Sequence, residues 1–194
     1  MDDKVAGVLK RMEEYDAQCR VDYPDDKWRR PRSIPREEGE WLSLLVRTVG
    51  ARNIVELGTS QGYSTIWLAL AARETGGHVT SFDIDEKKHR MATDNLAEAG
   101  LFDRVTLLAQ DAHKGLAELG FEFDFVFLDA EKDDYLPVAQ IAIPKMKPGG
   151  LLIAHNASNH AEGLADYLSF VRTHPDLQSV LLPIGKGEEV SLKV

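Results

Sequence analysis

The sequence predicts an α/β fold, in which a doubly wound, mostly parallel sheet carries helices on both faces. Apolar runs typical of buried strands alternate with helix-like runs through the middle of the chain. The first such run, Ile54 to Leu57, is followed by a turn with Gly58 and Gly62, and a helix-like run opens at Ser64. Acidic residues follow several predicted strands. Because ligands of such sheets lie beyond the carboxyl ends of the strands, these acids predict a binding site.

Composition limits the class of protein. The chain has 194 residues, and we expect residues 1–194 to form one domain. The net charge of −9 argues against a nucleic-acid partner, because basic residues supply most of that affinity. The sequence contains no apolar run of ~18 residues and begins with mixed charges, so we expect a cytoplasmic protein without membrane association. The single cysteine, Cys19, excludes an intrachain disulfide and a cysteine metal cluster.

Residues 1–50 are predicted to form a helical N-terminal cap on a core of residues 51–194. A helix is expected over residues 2–20, and its apolar face comprises Val5, Val8, Leu9, Met12 and Tyr15. A second helix is expected from Ser33 to Gly50. The loop between them carries a basic cluster (residues 27–36) made of Lys27, Trp28, Arg29, Arg30, Arg32 and Arg36. This basic cluster is interpreted as a solvated linker or, alternatively, as cover for an anionic substrate.

The core elements follow in alternation. The later predicted strands are His78–Asp85, Arg104–Ala109, Phe123–Asp129 and Leu151–Ala154. The predicted helices are Ile66–Ala72, Glu86–Ala99, Lys114–Leu119, Asp134–Met146 and residues 160–174. A turn is predicted at residues 148–150. The tail predicts an antiparallel hairpin of Val180–Ile184 and Glu189–Lys193. Glu188 and Glu189 at its turn are interpreted as exposed acids or, alternatively, as contacts to the acceptor.

The turn after the first strand has the properties of a cofactor loop. Its two glycines permit a sharp turn and a close approach of a ligand, and the next helix offers free N–H groups. The loop lacks the Gly-Lys-Ser/Thr of a phosphate-binding loop and the G-x-G-x-x-G of a dinucleotide site. Glu56, near the end of the strand, is instead placed to meet a cationic amino group. These features favour a nucleotide-like cofactor with an amino-acid end.

Acids at two further strand ends extend this predicted site. Asp83 stands 21 residues after Gly62, where nucleotide-binding α/β folds place the carboxylate that accepts hydrogen bonds from ribose hydroxyls. Asp111 follows the third strand, near the expected edge of an adenine. The alternative role of Asp111 is to cap the helix that follows it.

Strands four and five deliver a second group of polar residues to the same edge. Asp129, His155 and Asn156 supply a carboxylate oxygen, an imidazole nitrogen and an amide oxygen, which suit a divalent cation with open positions. Lys132 follows Asp129 on the loop over that site. Its alternative role is a surface ion pair with the neighbouring acids.

Three segments resemble a known family. They are residues 56–64 (ELGTSQGYS), 83–85 (DID) and 127–137 (FLDAEKDDYLP). In order and spacing they resemble the small class I S-adenosylmethionine-dependent O-methyltransferases of the catechol and caffeoyl-CoA type. The third segment is the most specific. The resemblance implies a Rossmann-like sheet of seven strands, mostly parallel with an antiparallel C-terminal hairpin strand, and a homodimer.

The resemblance also implies roles for the matching residues. It implies S-adenosylmethionine contacts for Glu56, Gly58, Ser60, Gly62, Ser64, Asp83, Asp111, Ala112, His113 and Asp129. Within that set, Glu56 meets the methionine amino group, Asp83 the ribose hydroxyls, and Ala112 and His113 the adenine. The resemblance implies Asp129 as a metal ligand, in the predicted site with His155 and Asn156, and Lys132 as the base that deprotonates the acceptor hydroxyl.

One position departs from the family pattern, which usually has Asp-Asn on strand five where this chain has His155-Asn156. Imidazole in place of carboxylate removes a negative charge, which weakens Mg²⁺ binding and favours Mn²⁺, Fe²⁺ or Zn²⁺. Two mechanisms therefore stay open. One uses a divalent cation such as Mg²⁺ or Mn²⁺, and the other is metal-independent with His155 or Lys132 as the base.

The expected function is methyl transfer from S-adenosylmethionine to a hydroxyl of a small acceptor, catechol-like or phenolic, with the N-terminal cap contributing to acceptor contacts. A nicotinamide-dependent oxidoreductase would share the fold, but its G-x-G-x-x-G is absent. A module that binds the cofactor without catalysis is the remaining alternative, and the intact segment around Lys132 argues against it.

Overall fold

The computed structural model describes residues 1–26 and 29–194, so Lys27 and Trp28 of the basic cluster lie outside the described residues. The described strands are β1 (Asn53–Leu57), β2 (His78–Phe82), β3 (Val105–Leu108), β4 (Phe123–Leu128), β5 (Met146–Ala154), β6 (Leu177–Leu182) and β7 (Glu188–Lys193). The described α-helices are α1 (Asp3–Asp22), α2 (Arg36–Val49), α3 (Tyr63–Thr75), α4 (Glu86–Ala99), α5 (Ala112–Glu118), α6 (Tyr135–Ala142) and α7 (Ala165–Thr173).

The seven strands form one sheet in the order β3-β2-β1-β4-β5-β7-β6. Strands β1 to β5 pair in parallel, whereas β7 pairs antiparallel with both β5 and β6. This arrangement confirms the predicted mostly parallel sheet with a C-terminal hairpin. The chain builds the sheet outward in one direction from β1 and then in the other from β4, so β1 and β4 flank the crevice in which such folds bind ligands.

Successive residues of each central strand face opposite cores. Ile54 packs into a core with α1 to α4, while Val55 packs into a second core with α5 to α7. Because side chains alternate along a strand, a nearly continuous apolar run buries residues on both faces of the sheet. Helices therefore cover both faces, and the doubly wound architecture is confirmed.

Several helix limits differ from the prediction, and prolines account for two of them. Helix α2 begins at Arg36 rather than Ser33, because Pro35 takes the N-cap position in an extended conformation. Helix α6 ends at Ala142 and gives way to a 3₁₀ turn containing Pro144, which lacks the N–H needed to continue the helix. Helix α7 begins at Ala165 rather than at residue 160, after a run of turns that ends near Gly163.

The predicted burial of Tyr15 and the predicted exposure of Glu188 and Glu189 were wrong. Tyr15 is 44% exposed, because the buried face of α1 continues through Asp16, whose carboxylate accepts hydrogen bonds from Arg20 and from the backbone of Arg32. Glu188 and Glu189 are 1% and 0% exposed. They belong to β7, which lies between β5 and β6 rather than at an edge of the sheet, so both acids lie inside the protein.

The turn predicted at residues 148–150 lies inside the long strand β5. The pairing of β4 with β5 shifts register between Phe123 and Phe125, which accommodates Gly149 with its φ of +82°. Among the described residues, no helix is both long and apolar enough to span a bilayer.

Candidate active site

A pocket of about 610 Å³ opens beyond the carboxyl ends of β1, β2 and β4. Most predicted site residues line it, namely Gly58, Ser60, Asp83, Asp111, Ala112, His113, Asp129, Lys132, His155 and Asn156. Ser64 lines a small adjoining hollow together with Gly58 and Asp129. Glu56 and Gly62 lie outside both linings. The structure thus brings the two predicted groups of residues to one pocket whose size suits a small-molecule ligand.

The two loop glycines are required by geometry. Gly58 has a φ of +104°, and a Cβ on it would lie 2.2 Å from the carbonyl oxygen of Asp129. Gly62 has a φ of +86° at the N-cap of α3, and its Cβ would lie 3.2 Å from that of Ala92. A side chain at Gly58 would separate β1 from the end of β4, so this glycine allows the close strand-end packing that forms the pocket wall.

Asp83 is held at the pocket by backbone groups. Its Oδ2 accepts the N–H of Ser60 at 2.8 Å, and its Oδ1 accepts the N–H of Asp85 at 2.9 Å. Ser60 has a φ of +49° and donates its hydroxyl to the carbonyl of Pro31 at 2.6 Å. A non-glycine residue in this conformation is strained, which is common at ligand sites. These bonds fix the orientation of the Asp83 carboxylate before any ligand binds.

The predicted adenine end is built from the start of α5. Asp111 caps this helix by accepting the N–H of Lys114 at 3.1 Å, which confirms the capping role and leaves the residue on the pocket lining. Ala112 and His113 follow in the first turn. The Nε2 of His113 lies 3.1 Å from Asp134 Oδ1, so His113 spans the rim between α5 and the loop after β4.

Glu56 lies beneath the pocket floor rather than on it. Its carboxylate is 0% exposed and accepts hydroxyl hydrogen bonds from Ser64 at 2.5 Å, Thr65 at 2.5 Å and Ser81 at 2.6 Å. Burial raises the pKa of Glu56 to about 7, and the three hydroxyl donors oppose that rise. In this arrangement Glu56 orients Ser64, and its predicted contact with an amino group stays a prediction.

Lys132 is a half-buried amine at the other end of the pocket. Its Nζ donates to the Tyr135 hydroxyl at 2.7 Å and to the Ala130 carbonyl at 3.2 Å, and lies 3.8 Å from Asp129 Oδ1. Desolvation lowers the pKa of Lys132, while the nearby Asp129 carboxylate opposes that shift. The geometry therefore presents an amine whose neutral, proton-accepting form is favoured by burial.

The contacts divide the three predicted metal ligands into two groups. Asn156, with a φ of +66°, donates its amide to Asp129 Oδ1 at 3.3 Å. Burial raises the pKa of Asp129 to about 6. The Nδ1 of His155 instead contacts Glu188 Oε1 at 2.5 Å. As they stand, these residues do not fit a three-ligand cation site, and the predicted metal role of Asp129, His155 and Asn156 stays a prediction.

His155 belongs to a buried cluster with two acids. Its side chain is 2% exposed, and Glu38 Oε2 lies 3.5 Å from the same Nδ1 that contacts Glu188. Burial raises the pKa of Glu188 and lowers that of His155, which favours the neutral form of both groups. Burial also raises the pKa of Glu38, to about 7.

The sequence interpretation missed this cluster, although the pattern contains a signal for each acid. Glu38 lies one turn before Leu42 on the buried face of α2. Glu188 shares a face of β7 with Val190 and Leu192. An acid in register with apolar residues marks a buried carboxylate that needs a partner.

The N-terminal part of the chain reaches the pocket through the segment between α1 and α2. Pro31 and Arg32 line the pocket, and Arg32 forms an ion pair with Glu131 at 3.3 Å. Elsewhere in the basic cluster, Arg36 pairs with Glu13 at 2.9 Å, outside the pocket lining. The loop, rather than the predicted helical cap as a whole, therefore supplies the rim.

The fold and the pocket define a class, a doubly wound α/β protein with a ligand site at the carboxyl ends of its central strands. Residues 17–169 match the sequence model of the O-methyltransferase family, and the chain belongs to that family. It is 38% identical over 128 residues to a catechol O-methyltransferase of Niastella koreensis, an alignment that covers 64% of this chain and 58% of the relative. Such alignments cover about half the length of the curated relatives.

Solved structures extend the match to nearly the whole chain. The O-methyltransferase of Bacillus cereus in complex with SAH has a TM-score of 0.81 and 26% identity, covering 97% of this chain and 91% of that one. TomG of Streptomyces achromogenes, an O-methyltransferase solved with SAM, has a TM-score of 0.80 and 25% identity, covering 100% and 91%. The family resemblance derived from the three sequence segments is thereby confirmed.

Proposed function

We propose that this chain is an S-adenosylmethionine-dependent O-methyltransferase that methylates a hydroxyl of a small catechol-like or phenolic acceptor. The observation that carries the proposal is one pocket with the oriented carboxylate of Asp83 at one end and the half-buried amine of Lys132 at the other. The first end suits a nucleoside, and the second suits a hydroxyl that must lose its proton. Membership of the O-methyltransferase family supports this assignment.

The cofactor is proposed to lie along the carboxyl ends of β1 to β3. Asp83 accepts hydrogen bonds from the ribose hydroxyls, while Ala112 and His113 contact the adenine. All three line the pocket, and they follow the neighbouring strands β2 and β3. The methionine end lies over Gly58, Ser60 and the helix start that follows Gly62. Ser64, held by Glu56, completes this end from the adjoining hollow.

The chemistry is an in-line displacement. The acceptor oxygen forms a bond to the methyl carbon while the bond from that carbon to the sulfonium sulfur breaks, leaving S-adenosylhomocysteine and a methyl ether. Because the sulfonium is already a reactive donor, the protein mainly aligns the two reactants. Lys132 takes the proton of the acceptor hydroxyl, which makes the oxygen a stronger nucleophile.

No step is assigned to a cation at Asp129 and Asn156, because their contacts separate them from His155. Asp129 lies 3.8 Å from the Nζ of Lys132 and helps to hold this amine at the pocket. A cytoplasmic location and a homodimer are proposed on the family resemblance and the sequence, and light scattering of the purified chain tests the oligomeric state.

Two measurements test the proposed function. Calorimetry with S-adenosylhomocysteine tests the pocket assignment, and saturable 1:1 binding is expected. Transfer of a labelled methyl group from S-adenosylmethionine to a panel of catechols and monophenols, with added Mg²⁺ or with chelator, tests the reaction. Binding without transfer to any member of a broad hydroxyl panel would favour the module that binds the cofactor without catalysis. Absence of binding would refute the assignment of the pocket.

A further inference from the structure

A buried cluster of two carboxyls and an imidazole lies where three distant parts of the chain meet. Glu38 comes from α2, His155 follows β5, and Glu188 begins β7. Each is at most 2% exposed, and one potential ligand atom from each lies within 4.8 Å of the others. Two acids and an imidazole placed together away from water need a partner that balances their polarity.

Each acid is anchored through one oxygen and leaves the other without a partner. Glu38 Oε1 accepts the backbone N–H of Lys186 at 3.2 Å, and a Cβ on Gly185 would clash with that same oxygen. Glu188 Oε1 is engaged with His155. Among the described residues, Glu38 Oε2 and Glu188 Oε2 have no hydrogen-bond partner. Buried carboxylate oxygens in this state are rare and point to an additional ligand.

The donor set and its spacing match a transition-metal ion. Ligand atoms about 2.1 Å from a tetrahedral Zn²⁺ lie ~3.4 Å from one another. Glu38 Oε2 already lies 3.5 Å from His155 Nδ1. The hydrogen bond between His155 and Glu188 is shorter, at 2.5 Å, so an ion would replace it and separate the two groups. Two carboxylates neutralise a divalent charge, and the second oxygen of Glu188 can supply a fourth ligand atom.

We propose that Glu38, His155 and Glu188 bind a divalent transition-metal ion, with Zn²⁺ as the preferred ion. The mixture of one nitrogen and two oxygen donors favours Zn²⁺ over Mg²⁺. The ion joins α2 to β7 and to the end of β5, and so fastens the N-terminal helices to the sheet beside the pocket. The site does not use Asp129 or Asn156, and it stands whether or not the proposed methyl transfer is correct.

Zn²⁺ binding to metal-stripped protein tests the site. Calorimetry and elemental analysis after dialysis should give one Zn²⁺ per chain, with Mg²⁺ giving no binding at the same concentrations. Glu188→Gln and Glu38→Gln should each reduce Zn²⁺ affinity at least tenfold. Asp129→Asn is the matched control, because Asp129 is a pocket acid outside the proposed ligand set, so this variant should retain Zn²⁺ binding. His155 variants do not discriminate, since His155 belongs to both candidate ligand sets.

A second readout is stability. Because Zn²⁺ binds the folded chain, it should raise the thermal midpoint of the wild type by several degrees and leave that of Glu188→Gln unchanged. S-adenosylhomocysteine binding and circular dichroism check that each variant is folded, and Glu38→Gln, on a different element, replaces Glu188→Gln if the latter fails. Absence of Zn²⁺ binding would overturn the proposal. So would binding lost in Asp129→Asn but retained in both glutamate variants.

Discussion

Gly58 and Asp129 touch backbone to backbone: a Cβ on Gly58 would lie 2.2 Å from the Asp129 carbonyl oxygen. This contact sets the distance between the loop after β1 and the loop after β4. In the proposed enzyme, those two loops carry the cofactor and the base. The distance between the proposed cofactor site and the proposed base therefore depends on this backbone contact, which leaves no room for a side chain at Gly58.

We expect Gly58→Ala to destabilise the protein by more than about 3 kcal/mol, because a positive φ and a backbone clash act together. Gly50→Ala is the matched control. Gly50 has a φ of +64° but nothing within 4 Å of its Cβ position, so only the conformational cost of about 1 kcal/mol is expected. Urea unfolding measures both variants. Equal losses for the two would show that the contact with Asp129 carries no energetic weight.

Asp83→Asn should weaken S-adenosylhomocysteine binding by about ten- to a hundredfold, because hydrogen bonds to a charged acceptor contribute about 1.5–3 kcal/mol. Asp94→Asn, on the exposed face of α4, serves as the control and should leave affinity unchanged. Calorimetry is the measurement. An analogue that lacks both ribose hydroxyls should bind wild type and Asp83→Asn equally. If wild type bound that analogue much more tightly than Asp83→Asn does, Asp83 would act on a part of the ligand other than the ribose hydroxyls.

Lys132→Met and Lys132→Arg should both lower kcat by about 10²- to 10⁴-fold, since neither side chain accepts a proton at neutral pH. The affinity for S-adenosylhomocysteine should change little, because Lys132 lines the part of the pocket proposed to hold the acceptor. Arginine keeps the positive charge and methionine does not, so comparison of the two variants distinguishes a role of Lys132 as base from a role as a positive charge. Activity retained by Lys132→Arg but not by Lys132→Met would contradict the assignment as base.

The buried Glu56 predicts a pH dependence of stability. Its pKa is raised from 4.5 to about 7 in the folded chain. The folded state therefore holds a proton that the unfolded state has lost between these values, and Glu56 lowers stability as pH rises from about 4.5 to 7. The expected contribution is about 3 kcal/mol. In Glu56→Gln, the unfolding free energy should no longer show this decrease between about pH 4.5 and 7.

A matched variant tests the origin of this effect. Ser81→Ala removes one hydroxyl that donates to Glu56 Oε2, so the pKa of Glu56 should rise further and the loss of stability should extend to higher pH. Urea unfolding between pH 4.5 and 8 measures all three proteins. Parallel curves for wild type and Glu56→Gln would show that Glu56 does not titrate in this range.

Much of the architecture was predictable, because its signals are local. The β1 strand, the turn with Gly58 and Gly62, and the start of α3 are adjacent in the chain, so their composition alone indicates strand, turn and helix. The position of the acids after β2 and β4, at the carboxyl-end edge of the sheet, was predicted correctly for a related reason. The carboxyl ends of parallel strands share one edge, whatever the order of the strands.

The limits of elements were less predictable where tertiary contacts override local preference. Strand β5 extends through Pro148 and Gly149 because β4 pairs with it through a register shift. The predicted exposure of Glu188 and Glu189 failed because a strand inserted between two others is buried, and the hairpin pattern does not reveal its position in the sheet.

Sequence by itself determined the family, the doubly wound fold and most of the residues that line the pocket, since each depends on short segments and strand ends. Only the tertiary structure decided which residues the imidazole of His155 contacts. It contacts Glu188, 33 positions away, and lies beside Glu38 from a helix before the first strand. The packing of α2 on the sheet and the antiparallel register of β7 bring these groups together. The periodicity of α2 and β7 indicates that each acid is buried, but it does not indicate which groups meet, because their contacts join distant parts of the chain.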